Sequence, residues 1–550
     1  MTRASLSSIR LLKLGRSISL SRLRLHAIGR MFDLYRAPGP HTRRIFCGIG
    51  FRTWNPLALM PRFTTKSSWP LHRQVIATNA CRAFSVEKTE TPKYWHAKFP
   101  DKKPRSFDEM PTVEDPQIDP YKLHEIYPQW FKKYGYVVRQ PVGNGKYAVH
   151  TFHFDDFDTV YMGDNVYYRA TRKPPQRLSH QVLKHYRENN KDLYDNVGLG
   201  PGDGDYVGRI RDMIRDSMST RIDEKLEKVA DDLIEIIRDK VGEGGEIELL
   251  PWLFRWGFEN VGMKFLDKRL GALSQTGNEE ADKMVEAAAI TNEMVALTTL
   301  DPVTDYAERY RKVESSEGYF YSVLKKYIEE IASQPDSKCA VKKILEKNPK
   351  DAITVTLDGF QGALQTVPLT VLMALYNVAR NKDIQVQARE ELVKYLPTKD
   401  SKYRSSNIAP PVIISRILWE TLRFNPPIIG NGRIIKSDMV LGGYNVPKET
   451  NVILHFQVAS LLEEFYSDPL KFNPNRFEST NVERVRKVFG VGPARACIGV
   501  GFAINTIHLI LLKMLRNFDF SYDGGEIAMI NRLHNEPEKP LFLKLKPLPE

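Results

Sequence analysis

The most informative residues of this chain form the stretch Phe489-Gly490-Val491-Gly492-Pro493-Ala494-Arg495-Ala496-Cys497-Ile498-Gly499. An uncharged, mostly apolar run follows at 496–512, and we predict that it is a buried core helix. Cys497 therefore lies close to a helix N-terminus, where backbone N–H groups and the positive end of the helix dipole favour a thiolate. Arg495 adds a cation, and the glycines allow a tight loop that a flat ligand can approach closely.

Three further motifs precede this stretch. They are Glu420-Thr421-Leu422-Arg423, Phe472-Asn473-Pro474-Asn475-Arg476-Phe477 and, farthest upstream, Trp252-Leu253-Phe254-Arg255-Trp256-Gly257-Phe258-Glu259-Asn260 with Lys268-Arg269-Leu270-Gly271. Together with the Cys stretch they resemble the cytochrome P-450 family, whose haem-binding loop has the form FxxGxRxCxG. The upstream motif is similar to the mitochondrial branch of that family. The resemblance covers about residues 120–525.

The resemblance implies a mainly α fold with small β-sheets, that is, a cytochrome P-450 fold with a single haem domain that binds haem b. It assigns the following haem-binding residues: Cys497 as the axial iron ligand, Phe489 in the haem-binding loop, and Arg495 and Arg433 on the two propionates. Guanidinium groups suit propionates because they form paired, charge-assisted hydrogen bonds. Arg209 or Arg211 is a weaker third candidate, because the spacing there does not match the family.

Glu420 and Arg423 are three residues apart within an otherwise apolar helix, so we predict that both charges are buried on one face. A buried ion pair persists only when every charge is compensated, and Arg476 is the natural third member. We assign this triad the structural role of holding the Cys loop in place.

Oxygen activation needs protons, which the family supplies through a kinked helix that carries an acid followed by Thr. The matching positions here are Gln365 and Thr366, so the acid is replaced by an amide that can still order water. Pro368 adds a break in the helix, because it cannot donate a hydrogen bond to the carbonyl of Leu364. Thr366 with bound water is the predicted proton donor. The alternative is a hydroxyl that only bonds back to its own preceding turn.

Two departures from the family concern the Cys loop and its partner. Phe489 lies eight positions before Cys497 instead of seven, and we expect the extra residue to bulge near Pro493-Ala494. By resemblance, electrons come from a 2Fe–2S ferredoxin that an NADPH-dependent reductase reduces. The lysine pair that relatives use for docking is absent; Arg416 is the nearest basic residue. The basic residues just before Phe489, namely Arg484, Arg486 and Lys487, form the predicted docking patch, or else a solvated charged loop.

The net charge of +13 belongs to the N-terminal tail. Fifteen of the 80 Lys and Arg residues but only one acid, Asp33, lie in residues 1–86, which leaves 65 basic and 66 acidic residues in 87–550. The tail is rich in Ser, Leu and Arg, as in a mitochondrial transit peptide. We therefore predict a transit peptide at 1–84 and a haem domain at 85–550 that is not a nucleic-acid-binding protein. A basic disordered arm that binds nucleic acid or lipid is the alternative.

The remaining pattern is mostly helical, with long helices predicted at about 207–240, 247–270, 278–298, 306–333 and 351–381. A hairpin is predicted at 136–150, with Asn144-Gly145 in its turn. The glycine-rich segment 198–205 is interpreted as a surface loop. Only Cys339 and Cys497 remain after the tail, which indicates a reducing compartment without structural disulfides.

These patterns favour a mitochondrial haem-thiolate monooxygenase on the matrix face of the inner membrane. Its substrate would be a hydrophobic, sterol-like or lipid molecule, because the mitochondrial branch oxidises sterols and related lipids. Leu297-Thr298-Thr299-Leu300 would form part of the substrate entry near the membrane. Two alternatives stay open. One is a donor-independent isomerase or dehydratase of lipid peroxides, favoured by Gln365 and the lengthened Cys loop, and the other is a non-catalytic haem-thiolate binding protein or sensor.

Overall fold

The structure is a computed structural model, and it describes residues 103–114, 118–175, 177, 179–218, 223–274, 277–301, 304–334, 337–398, 401–403 and 410–549. The chain divides into two units, Met1–Phe84 and Ser85–Glu550, and all of the described residues belong to the second. The predicted transit peptide at 1–84 lies outside the described residues.

The described part is dominated by helices, as the sequence predicts. They are α1 (Leu123–Tyr134), α2 (Phe154–Thr171), α3 (Gln181–Asn189), α4 (Gly204–Met218), α5 (Glu224–Val241), α6 (Leu250–Leu266), α7 (Glu279–Leu300), α8 (Tyr306–Ala332), α9 (Lys342–Leu345), α10 (Pro349–Ala363), α11 (Thr366–Arg380), α12 (Lys382–Tyr395), α13 (Val412–Phe424), α14 (Phe456–Ser460), α15 (Glu483–Arg486) and α16 (Val500–Asn517). Short 3-10 helices lie at Phe107–Glu109, Pro474–Glu478 and Lys487–Phe489.

The strands are β1 (Val137–Pro141), β2 (Tyr147–Thr151), β3 (Gly245–Glu248), β4 (Asn431–Ile434), β5 (Met439–Leu441), β6 (Tyr444–Val446), β7 (Asn451–Leu454), β8 (Phe518–Ser521), β9 (Met529–Arg532), β10 (His534–Pro537) and β11 (Phe542–Pro547). They form small sheets in the orders β1-β2-β7-β4, β3-β11-β8, β5-β6 and β9-β10. Within these sheets only β2 and β7 pair in parallel. The mainly α fold with small sheets is thus confirmed.

The predicted hairpin is present as β1 and β2, which pair antiparallel from Val137 opposite Thr151 to Pro141 opposite Tyr147. Its turn places Gly143, Asn144 and Gly145 at positive φ, which glycine and asparagine tolerate best.

The helix predicted at about 207–240 is two helices, α4 and α5. Asp223 begins the second, because its backbone is extended and its side chain accepts a hydrogen bond from the N–H of Leu226. The helical periodicity continues across this boundary, and for that reason the sequence pattern merged the two helices.

The helix predicted at about 351–381 is divided into α10 and α11 at Leu364-Gln365. The division lies four residues before Pro368, where a proline removes the hydrogen bond to the carbonyl of Leu364. Taken together, Pro349–Arg380 is long and apolar enough to cross a membrane by length and composition, but 83% of the relevant window is buried inside the protein. These two helices therefore lie in the core of the protein.

Helix α16 is the buried helix that the apolar run predicts, with Leu509 to Leu512 fully enclosed. By contrast, the glycine-rich segment 198–205 is not a plain surface loop. Pro201 and Gly202 are buried, and the N–H groups of Leu199 and Gly200 donate to the carboxylate of Asp358 on α10. The sequence pattern could not anticipate this, because the partner lies more than 150 residues away.

Candidate functional site

The Cys loop connects the 3-10 helix Lys487–Phe489 to α16. The N–H of Cys497 donates to the carbonyl of Phe489 at 2.6 Å, and this bond closes the loop. Gly490 has φ +74°, and a Cβ on it would lie 3.2 Å from the Cα of Ala496. The loop therefore requires glycine at position 490, both for its backbone conformation and for the close approach of the returning chain.

Cys497 lies deep in the protein, yet its side chain retains accessible surface, so it faces an internal space. Burial raises the pKa of its thiol, while the N–H of Gly499 and the charges of Arg177 and Arg211 lower it. Burial is the largest of these effects, so the helix terminus and the neighbouring arginines alone leave the pKa of the thiol raised. A metal ion bound at the sulfur would supply the missing positive charge.

The extra residue of the loop is accommodated earlier than expected. Gly490 and Gly492 both adopt positive φ, and Val491 between them is 40% exposed, whereas Ala494 is buried. Asn165 on α2 fixes this turn, because its side chain donates to the carbonyl of Val491 at 3.0 Å and accepts from the N–H of Ala494 at 3.2 Å. The outward turn is therefore at Gly490–Gly492 and not at Pro493-Ala494.

Arg495 is 3% exposed and bonds to the backbone of two preceding segments. Its Nε donates to the carbonyl of Pro175 at 2.6 Å, and its two Nη atoms donate to the carbonyls of Leu199 at 3.4 Å and Gly202 at 2.7 Å. A guanidinium group has five N–H donors, so two remain for another partner.

Arg433 on β4 is also buried, at 1% exposure. Its Nε donates to the carboxylate of Asp164 at 2.9 Å, and its Nη1 donates to Asn431 and to the carbonyl of Gly432. Burial raises the pKa of Asp164, although Arg433 acts in the opposite direction. The expected propionate ligand thus already has a carboxylate partner.

Two further arginines complete a cluster, Arg177 before α3 and Arg211 on α4. Arg211 donates to the carbonyl of Ala496 at 2.7 Å, next to Cys497. Burial and the charges of Arg433 and Arg211 lower the pKa of Arg177 to about 10, and burial with neighbouring guanidinium groups also lowers the pKa of Arg495. Four cations are therefore crowded together.

This cluster fits a group that carries two carboxylates. The Nε atoms of Arg177 and Arg211 are buried and have no hydrogen-bond partner in the described part of the chain. Buried polar atoms are normally satisfied, and an unsatisfied donor costs roughly 1–3 kcal/mol. Haem propionates would neutralise the excess positive charge and accept from these donors, so the residues present fit haem.

The predicted triad is present and buried. Arg423 makes two hydrogen bonds to the carboxylate of Glu420, both 2.8 Å, and Arg476 donates to the same carboxylate at 3.0 Å. The N–H of Asn473 donates there as well, at 2.7 Å. The other donors of the two arginines bond to carbonyls between Ser460 and Lys471. The triad thus holds that segment directly, and its hydrogen bonds do not reach the Cys loop.

Thr366 lies at the division between α10 and α11. Its hydroxyl donates to the carbonyl of Gly362 at 2.8 Å, which is the bond back to the preceding turn that the sequence offered as an alternative. Gly362 is exposed, and a Cβ on it would meet nothing within 4 Å. Thr366 therefore borders open space, and its hydroxyl oxygen can still accept a hydrogen bond.

Gln365 is 6% exposed and is oriented by Asn292 on α7. The side-chain NH2 of Asn292 donates to the backbone carbonyl of Gln361 at 3.2 Å and to the side-chain oxygen of Gln365 at 2.7 Å. A backbone carbonyl can only accept, so Asn292 must present its NH2 group at this place. Gln365 must then present its oxygen to Asn292, and its own NH2 group is directed elsewhere as a donor.

One of the three residues of the predicted docking patch is not exposed. Lys487 is 9% exposed and forms an ion pair with Asp158, so it is not part of an exposed basic surface. Arg484 and Arg486 are exposed and lie over the rings of Phe465 and Trp419. Arg416 is paired with Glu478 at 2.7 Å.

The predicted entry residues 297–300 form the last turn of α7. Leu297 and Leu300 are half-buried, and the carbonyl of Leu297 accepts from Arg309 on α8 at 3.1 Å. Arg309 also donates to the carbonyl of Asp301, so one side chain ties α8 to the end of α7.

Sequence reasoning missed Arg177, Asn292 and Asp358. Arg177 follows Pro174-Pro175 outside every family motif. Asn292 stands between the polar residues Thr291 and Glu293, but the neighbours on its own helical face include Ala288 and Val295. Only long-range contacts give these residues their roles. A weak signal existed for Asn292, because a polar side chain on an apolar helical face needs a buried partner.

A sequence model of the family described as cytochrome P-450 matches residues 116–545. The chain is 27% identical to cytochrome P-450 302a1, mitochondrial, of Drosophila melanogaster, over 77% of this chain and 89% of the fly protein. It is 24% identical to the mitochondrial 1,25-dihydroxyvitamin D(3) 24-hydroxylase of Rattus norvegicus, over 78% and 84% of the two chains. It is 25% identical to the mitochondrial cholesterol side-chain cleavage enzyme of Bos taurus, over 81% and 90%.

A crystal structure of a cytochrome P-450 has the same fold, with a TM-score of 0.64 and 17% identity, over 81% of this chain and all of that chain.

Proposed function

The chain belongs to the cytochrome P-450 family, and from this premise we propose a mitochondrial monooxygenase that acts on a sterol-like or other lipid substrate with electrons from a 2Fe–2S ferredoxin. As a family member it is an oxidoreductase that binds haem b through a cysteine thiolate. The observation that carries the proposal is the cluster of four arginines near Cys497, three of them buried, in which the buried Nε atoms of Arg177 and Arg211 have no partner among the described residues.

Cys497 would hold the haem iron, and the cluster would hold the propionates. Arg177, Arg211 and Arg495 have donors left for carboxylates, whereas Arg433 is paired with Asp164 and would act chiefly by its charge. Phe489 would position the sulfur, because its carbonyl accepts the hydrogen bond from the N–H of Cys497. When bound, haem with an axial thiolate supplies the chemistry that cleaves the O–O bond of O2.

The division between α10 and α11 would guide protons. The Thr366 hydroxyl donates to Gly362 and can accept from a water molecule in the adjoining space. The NH2 group of Gln365, directed away from Asn292, can donate to the same water. Neither group is an acid at neutral pH, so the protons must come from water that these residues order.

The substrate class rests on the relatives. Two of them are named for reactions on cholesterol and on a dihydroxyvitamin D, and we propose a related hydrophobic molecule for this chain. It would enter near the junction of α7 and α8, which lies on the inner-membrane side in this proposal.

The proposed electron donor is supported by the positive charge just before the Cys loop and by the similarity of the chain to mitochondrial relatives. An acidic ferredoxin, reduced by an NADPH-dependent reductase, would dock at exposed Arg484 and Arg486 just before the Cys loop. Reversing both charges to Glu should raise the apparent KM for ferredoxin about tenfold or more at low salt. Lys326→Glu, an exposed charge on α8, is the control; an equal rise there would contradict the docking site.

The location is proposed as the matrix face of the inner mitochondrial membrane. It is supported by the basic tail and by relatives named as mitochondrial. A reporter fused to residues 1–84 should collect in mitochondria, and a reporter that stays in the cytosol would contradict the transit peptide.

The deciding experiment combines a spectrum with turnover. The reduced CO difference spectrum should be of the thiolate type, and sterol-like substrates should be oxidised only with ferredoxin, reductase and NADPH. Turnover of a lipid hydroperoxide without any donor would select the isomerase or dehydratase function instead. Absence of a thiolate-type spectrum would contradict both.

A further inference from the structure

The glycine-rich segment Gly198-Leu199-Gly200-Pro201-Gly202 is built around one carboxylate, that of Asp358 on α10. Its Oδ2 accepts from the N–H groups of Leu199 and Gly200, the latter at 3.2 Å, and its Oδ1 accepts from Nη1 of Arg187 at 2.8 Å. All of these neighbours are donors. Only a carboxylate offers an acceptor oxygen on both sides, so an amide at position 358 would place its own N–H groups against donors.

The glycines are required by this packing. Gly198 has φ +88°, and a Cβ there would overlap the Asp358 carboxylate and Arg187. A Cβ on Gly202 would overlap the carbonyl oxygen of Gly198 and lie 2.9 Å from the side chain of Val207. The segment thus folds back on itself and presses its backbone against Asp358.

The same segment holds Arg495 on its other side. The carbonyls of Leu199 and Gly202 accept from the two Nη atoms of Arg495, two residues before Cys497. A continuous path of hydrogen bonds therefore runs from Asp358 through the glycine segment to Arg495. A shift of the segment would move the acceptors that orient this guanidinium group.

Charge compensation keeps Asp358 in place. Arg187 on α3 is fully buried and also pairs with Glu317 on α8, through its Nε at 2.8 Å. Gln361 on α10 donates to the other oxygen of Glu317 at 2.5 Å. A buried charge that is removed from such a network leaves its partners uncompensated.

We propose that Asp358 is a positioning residue for the haem-binding cluster: it holds the segment 198–202, and that segment orients Arg495 toward a haem propionate. The inference rests on the proposed haem-binding role of Arg495, and it adds Asp358 and the glycine segment as residues that act through Arg495.

The test measures the rate at which ferric holoprotein loses haem to an excess of apomyoglobin, without substrate or electron donor. We expect Asp358→Asn to lose haem about tenfold faster, because an amide at position 358 would weaken the charge-assisted hydrogen bonds that hold the segment. In an Arg495→Gln background, Asp358→Asn should add less than about a twofold acceleration, because both substitutions interrupt one path.

Asp351→Asn is the matched control. Asp351 lies on the same helix and accepts from Asn196 and Tyr206, but not from the glycine segment. Haem loss from the double variant Asp351→Asn with Arg495→Gln should be faster than from the wild type by the product of the two single-variant factors. Gly198→Ala is a second variant, which displaces the segment and leaves the carboxylate intact, for the case that Asp358→Asn does not fold.

The proposal would be overturned if Asp358→Asn or Gly198→Ala accelerated haem loss by the same factor with and without Arg495→Gln. It would also be overturned if neither Asp358→Asn nor Gly198→Ala alone changed the rate of haem loss. Because the assay needs no turnover, these outcomes are separate from failure of the proposed monooxygenase activity. A chain that binds no haem at all would instead contradict the proposed function.

Discussion

Cys497 is subject to opposed effects, because burial raises the pKa of its thiol while Gly499 and two arginines lower it. We predict that Cys497→Ser abolishes the thiolate-type reduced CO difference spectrum, since an alcohol is a far weaker iron ligand than a thiolate. The measurement is that spectrum on purified protein. Cys339→Ala, which alters the other cysteine among the described residues, should leave the band in place; loss of the band there would contradict the assignment.

Thr366 offers a hydroxyl at the open side of the helix division, and it can both donate and accept. Thr366→Ala should lower the amount of product formed per electron consumed by about tenfold. This is less than the roughly 100- to 10,000-fold contribution of a direct proton donor, because Thr366 orders water and does not itself supply the proton. Product and NADPH consumption are measured together.

Thr370 provides the control for Thr366. It lies one turn later on α11, is buried, and donates to the carbonyl of Thr366 at 2.7 Å. Thr370→Ala should leave the product yield per electron unchanged. An unchanged yield in Thr366→Ala would remove Thr366 from the proton path.

At the scale of elements, the triad joins α13 to the segment that leads to the 3-10 helix Pro474–Glu478. Glu420→Gln should lower the free energy of unfolding by about 3–5 kcal/mol, because Arg423 and Arg476 would remain buried with uncompensated charge. Urea unfolding followed by circular dichroism measures the loss.

The exposed pair between Arg416 and Glu478 is the comparison for the triad. Glu478→Gln should cost less than about 1 kcal/mol, because solvent screens that pair. Equal costs for the two substitutions would show that burial of the triad contributes nothing to stability.

The division between α10 and α11 connects three parts of the fold. Helix α10 carries Asp358, which holds the glycine segment, and Gln361, which bonds to Glu317 on α8. Asn292 on α7 then fixes Gln365 at the division itself. The helix that borders the proposed oxygen site is thus held by neighbours on both sides.

At the scale of the whole molecule, buried histidines make the free energy of unfolding depend on pH. Burial lowers the pKa of His508 on α16 to about 4, below the value of about 6.5 expected in the unfolded chain. The unfolded chain therefore binds the proton first, so this contribution to stability is complete above pH 6.5 and is lost as the pH falls toward 4.

His508→Leu should remove that dependence. Between pH 7 and pH 4, the wild-type chain should lose up to about 3 kcal/mol more of its free energy of unfolding than the variant does. Urea unfolding at a series of pH values checks this. Parallel curves for the two proteins would contradict a neutral His508 in the folded state.

The sequence by itself determined the class of fold and the metal-ligand candidate, because local spacing carries that information. The Cys loop, the Glu420–Arg423 pair and three of the five long helices rest on short-range patterns and are found where the patterns predict them, whereas the other two predicted helices are each divided in two. The charge partition between the tail and the remainder is likewise a property of the sequence alone.

Only the tertiary structure decided which groups meet. Arg177, Asn292 and Asp358 act on residues about 70 to 320 positions away. Lys487 is buried in an ion pair with Asp158. The tertiary structure also decided the burial of Cys497, which raises the pKa of the thiol against the opposing effects of Gly499 and two arginines. The physical reason is that desolvation and hydrogen-bond satisfaction depend on the neighbours in space, which sequence spacing does not contain.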